Sequence, residues 1–169
     1  MINWVFFPQS DQPTDMVVKV VRVFKEVAND IDSSTHKKQE SNTVLSKMVP
    51  GLSSLGFKVE GGKKAKQKIT VPVLFGRNGS IEKAFDADAF HETENFVVEV
   101  EAGRGVTNYQ FLKDLFQACM MHDIKYLGIA VRNKYRNSQD FEKVVMFFDT
   151  LYKSNRMRLP LNGVLIIGY

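Results

Sequence analysis

The run "NFVVEVEAGRG" at residues 95–105 constrains this chain more than any other stretch. Its valines mark a buried strand, and strand side chains alternate with period two, so Glu99 and Glu101 point to the same side. Two like charges on one face of an apolar strand are unfavourable unless something offsets them. The preceding segment "AFDADAF" carries Asp86 and Asp88 with the same alternation. A turn centred between Thr93 and Glu94 sets Ala89 against Val98 and Ala87 against Val100. Asp88 then faces Glu99, and Asp86 faces Glu101. A slip of one residue would set carboxylates against valines, which is penalised. Four carboxylates are therefore expected on one patch, with opposed Cβ atoms roughly 4.5–5.5 Å apart. One remedy for the repulsion is a hard divalent cation, Mg2+ with Mn2+ as a substitute, which takes oxygen ligands. The alternatives are strand ends lying in solvent, or lysines that neutralise the patch.

The rest of the chain reads as alternating periods. Residues 14–31 carry Val17, Val20, Phe24 and Val27 opposite Lys19, Arg22, Lys25 and Asn29, the spacing of an amphipathic helix. A second helix is expected after Thr35, broken or kinked at Pro50-Gly51, followed by a short strand. Residues 68–76 and 81–90 flank "RNGS", a hairpin signal. After residue 105 the pattern is helix (106–122), strand (125–131), helix (138–154) and strand (163–169). A right-handed crossover lays 125–131 parallel to 95–101, so "AGRG" and "VRNKY" leave the sheet at one edge. The 169 residues suffice for a single domain with a real core. The expected organisation is an N-terminal strand and helix extension over 1–36, a core over 37–131 and a C-terminal helix and strand over 132–169.

Composition matters mainly for what it excludes. One cysteine allows no internal disulfide, and three scattered histidines give no zinc spacing. No apolar run approaches the roughly 20 residues of a membrane span, and the start "MINWVFFPQS" lacks the basic region of a secretory signal. A reducing, cytoplasmic setting is the expectation. The net charge of +4 is less informative than its distribution. Lys63, Lys64, Lys66 and Lys68 crowd one loop; Arg132 and Lys134 sit in "VRNKYRN". Two basic loops in a small chain are candidate phosphate contacts, with Arg104 in "AGRG" as a third.

The order α-β-β-β-α-β, with Asp on the second strand and an acidic motif on the third, resembles the PD-(D/E)xK nucleases, the restriction-endonuclease-like fold. The resemblance covers roughly residues 37–131. It implies an α/β fold with a central mixed sheet flanked by helices. It implies Mg2+-dependent hydrolysis of phosphodiester bonds in double-stranded DNA, and narrowly a type II restriction enzyme acting as a homodimer. Asp88 occupies the place of the metal-binding Asp, Glu99 that of the second acidic ligand, and Glu101 the position usually held by Lys. The resemblance gives catalytic roles to Asp88, Glu99 and Glu101, and adds Glu40 as a further acidic residue near the metal. Two departures stand out: Ala87 precedes Asp88 where the family has Pro, and Glu101 replaces Lys. Lys68, Lys83 and Arg104 are candidates for the missing cation, with Lys83 on the wrong strand face. The alternative is a catalytically inactive module of the same fold that binds DNA or a protein partner.

Overall fold

The computed structural model describes residues 1–61, 68–103 and 106–169. The strands are β1 (Asn3–Phe7), β2 (Lys58–Val59), β3 (Ile69–Phe75), β4 (Ile81–Ala87), β5 (Ala89–His91), β6 (Phe96–Glu101), β7 (Tyr126–Val131) and β8 (Gly163–Gly168). The helices are α1 (Asp15–Glu26), α2 (Ala28–Ile31), α3 (Ser41–Ser54), α4 (Gln110–Met120) and α5 (Asp140–Ser154). A six-stranded mixed sheet runs β1-β8-β7-β6-β5-β2, and β3 and β4 form a separate two-stranded ribbon. β6, β7 and β8 are parallel, while β1 and β5 are antiparallel to their neighbours. No helix among the described residues is long and apolar enough to cross a membrane.

The strand periodicity explains the layers. In β6, Phe96, Val98 and Val100 join one core with Val20 and Phe24 of α1 and Met48 and Leu52 of α3. Val97 joins a second core on the opposite face with Phe111 and Leu115 of α4 and Phe148 of α5. β7 and β8 are buried along almost their whole length, as expected of parallel strands covered on both faces. The amino-terminal β1 closes the far edge against β8.

Three boundaries differ from the sequence expectation. The first helix stops at Glu26 and resumes as a single turn, α2, after Val27. The second helix begins at Ser41 rather than after Thr35. The Asp32 carboxylate accepts bonds from the Ser34 N–H at 2.8 Å and the Ser34 hydroxyl at 2.5 Å, a local turn that competes with helix. The same helix then continues through Pro50-Gly51 to Ser54. A Cβ on Gly51 would lie 2.7 Å from Val23, so glycine permits the close approach of α1 and α3 there. The "RNGS" hairpin forms as expected, with Asn78 (φ 58) and Gly79 (φ 75) both left-handed.

Candidate active site

Asp88 lies between β4 and β5, where one continuous segment divides its pairing. Before it, β4 pairs with β3; after it, β5 pairs with β6. The predicted register holds on the β5 side, where Ala89 faces Val98. It does not continue. Ala87 pairs with Ile69 and Asp86 with Thr70, so neither Asp86 nor Asp88 stands across a ladder from Glu101 or Glu99. The ribbon peels away and leaves the β6 backbone unpaired on that side. The Asp88 carboxylate fills the gap, accepting the Val100 N–H at 2.8 Å. The Asp88 N–H in turn favours the charged form of Glu99, against the larger effect of burial.

This split opens a cleft of about 390 Å³. Asp88, Glu99 and Glu101 line it, together with Asp86 and two carboxylates unforeseen in the sequence, Glu60 and Asp114. Burial is the main cause of the electrostatics. It pushes Asp88 up to about 6, Asp114 to about 7 and Glu101 to about 8, and raises Glu99 well above the ordinary carboxylate range. Asp114 and Asp88 add to the rise at Glu101, Asp88 to that at Asp114 and Glu60 to that at Asp88, and Lys113 on α4 opposes all three. Asp114 Oδ2 is buried with no hydrogen-bond partner.

Two lysines line the cleft, Lys68 and Lys113. Lys68 Nζ lies 3.0 Å from Glu60 and 3.7 Å from Asp86. It was expected both among the phosphate-contacting lysines and as a candidate for the missing cation, and it lines the acidic cleft. The Glu60 hydrogen bond, foremost, raises its pKa. The α4 contribution has a readable signal. Gln110, Lys113, Asp114 and Gln117 fall at i, i+3, i+4 and i+7, a polar stripe beside the buried Phe111, Leu115 and Ala118.

The other candidates are dispersed. Glu40 is exposed at the N-cap of α3 and faces the neighbouring hollows, while its successor Ser41 reaches the acidic cleft. Lys63, Lys64, Lys66 and Arg104 lie outside the described residues. Lys134 is exposed. Arg132 is corrected from a surface phosphate contact to an internal brace. It is buried, and its guanidinium donates to the carbonyls of Lys37, at 2.5 Å, and Gln39. The guanidinium also lies 5.5 Å from the Tyr135 ring centre. It thus ties the connector before α3 to the loop after β7. Arg132→Met leaves two carbonyls without their donor, so a stability loss of about 2–3 kcal/mol is expected in urea denaturation. An unchanged midpoint would show that the brace is dispensable.

The donor set is chemically suited to a hard cation, being all oxygen with one buried acceptor unpartnered. Among the described residues, however, no three His, Cys, Asp or Glu side chains are already gathered as a ligand group. A cation here would draw the carboxylates together. Comparisons with protein-family models, curated proteins and solved structures find no match for this chain.

Proposed function

We propose that this chain is a metal-dependent deoxyribonuclease built on a restriction-endonuclease-like core. The order α3, β2, β3, β4/β5, β6, α4, β7, with β6 and β7 parallel, supports the fold reading, and the concentration of carboxylates where β4 and β5 part supports the chemistry. That concentration carries the proposal. A fold gains nothing by crowding the half-buried Asp88, Glu99 and Glu101 against the buried Asp114, unless a ligand of opposite charge offsets the repulsion. Asp88, Glu99 and Asp114 would hold the cation, Mg2+ or Mn2+, and leave Glu101 to act on water. When bound, such an ion polarises a phosphoryl oxygen and lowers the pKa of water. Glu101, ionised once a bound cation offsets the neighbouring carboxylates, would take a proton from the attacking water. Lys68, which lines the same cleft, would offset the charge that develops on the phosphate, in the role the resemblance assigns to the missing Lys.

The direct test is plasmid DNA incubated with the protein and Mg2+ or Mn2+, with chelator as control. Nicked and linear products only in the metal arms are expected; supercoiled DNA surviving in every arm overturns the reading. Lys68→Met is expected to lower kcat by roughly 10²–10³-fold, the scale of removing one electrostatic stabiliser. Because it also strands the buried Glu60, the Lys68→Met/Glu60→Gln pair should be measured beside it. Full activity in the double variant would remove Lys68 from the chemistry.

A second reading, an inactive module that binds DNA or a protein partner, is favoured by Glu101 at the Lys position. Calorimetry separates the two: an active site binds Mg2+ or Mn2+ in the micromolar to millimolar range, and Asp88 and Glu99 substitutions abolish it.

A further inference from the structure

A second, larger hollow of about 1060 Å³ adjoins the acidic cleft, and Ser41 and Glu101 line both. Its walls are the connector before α3 and the loop after β7, which bring together Lys37, Lys38, Lys134 and Arg136. All four are exposed, and among the described residues none of them enters an ion pair. Glu40 and Glu101 are the acidic lining residues among those described. The two walls are held in register by one buried side chain. Arg132, on the loop after β7, donates to the carbonyls of Lys37 and Gln39 on the opposite wall. Tyr135 lies with Arg132 at 5.5 Å and Arg136 at 5.3 Å from its ring, and a Cβ on Gly103 (φ +148) would come within 2.8 Å of that ring. The cationic hollow is therefore a braced surface rather than a chance meeting of loose lysines.

We propose that this hollow is the track for the sugar–phosphate backbone of a nucleic-acid strand, leading the strand past Ser41 and Glu101 into the acidic cleft. This deepens the nuclease reading and rests on it for the choice of ligand. The chemistry that selects a nucleic acid is the pairing of the two hollows. A row of unpaired cations suits successive phosphates, and the adjoining carboxylates suit a cation that itself bridges to a phosphate. A lone small anion would use only one of them. Lys37, Lys38 and Arg136 are substrate-positioning residues on this view, beside Lys134.

The test is binding of a fluorescein-labelled 20-nucleotide single strand, and of its duplex, in chelator across a salt series. The variant Lys37→Gln/Lys38→Gln/Lys134→Gln/Arg136→Gln is expected to lose about 30–100-fold in affinity at low salt. Its log–log salt slope should fall by up to about three units, at roughly 0.7 per contact on a single strand. Lys38→Gln and Arg136→Gln alone should each lose about 3–5-fold, which keeps the test decisive if the quadruple variant does not fold. Affinity within twofold of the parent, with parallel salt slopes, overturns the track. Because binding is read without metal, it is independent of cleavage. A parent that binds through these residues but never cuts plasmid sinks the nuclease reading alone. A parent that cuts, with binding unchanged in the variants, sinks the track alone.

Discussion

Asp88→Asn is expected to abolish cleavage, a loss of at least about 10³-fold or roughly 4 kcal/mol in the barrier, while making the metal-free protein more stable. The two effects separate because the side chain has two duties. Its oxygen accepts the Val100 N–H where β6 has lost its strand neighbour, and Asn retains an oxygen for that bond. Its charge is another matter. Burial pushes the carboxyl up to about 6, the Val100 N–H opposes that rise, and the Glu60 charge adds to it. Removing that charge should raise metal-free stability by about 0.5–2 kcal/mol at neutral pH. The parent should also be stabilised by Mg2+ through mass action, and the variant should not. Thermal melts of both proteins, with chelator and with Mg2+, decide the matter. If Asp88 serves only to hold the split sheet, the variant will be less stable, and neither protein will respond to the metal.

Stability of the metal-free protein should fall steeply as pH rises, opposite to the usual behaviour of paired carboxylates. Asp88, Asp114 and Glu101 have folded-state values of about 6, 7 and 8, against ordinary values of 3.8, 3.8 and 4.5. Between these limits the folded protein holds protons that the unfolded chain has released. Fewer protons on the unfolded state means that unfolding free energy decreases with pH. The contribution is complete below about pH 4, declines from there, and is exhausted just above pH 8. Because the groups titrate together rather than independently, the total is on the order of 3–6 kcal/mol rather than the sum of separate shifts. Urea denaturation at pH 5 and pH 8.5 in chelator measures it. Saturating Mg2+ should restore much of the loss at pH 8.5 and little at pH 5, where protons already occupy the oxygens. Asp114→Asn should flatten the profile. A chelated protein equally stable at both pH values would mean that these carboxylates are solvated, and the cation argument would fail with them.

Much of the site was legible because strand periodicity is a short-range rule. "FVVEVE" alone places Glu99 and Glu101 on one face and Val98 and Val100 on the other, and both cores follow that division. With the turn centred between Thr93 and Glu94, the alternation also agreed with the Ala89–Val98 register, since a slip of one would set carboxylates against valines, although slips of two keep the same faces. Asn78-Gly79 specified its hairpin through two left-handed residues. What lay beyond the sequence were events that depend on distant partners. Asp88 is the residue at which pairing changes from β3 to β6, and nothing local in "FDADAF" distinguishes one partner from the other. That divergence carried Asp86 to the ribbon and left a backbone N–H for Asp88 to satisfy. The identity of the missing cation was likewise a tertiary matter. Lys68 belongs to the basic run by sequence, and it reaches the acidic cleft because β3 follows β4 to its rim and Glu60 holds it there. Asp114 became a neighbour of Glu101 only when α4 packed over β6. Arg132 read as a surface charge because its neighbours in the chain are polar, yet its hydrogen-bond acceptors lie more than ninety residues earlier. Alternation and turn chemistry act over a few residues and can be read directly. The pairing of buried charges is set by which elements meet, and only the folded chain decides that.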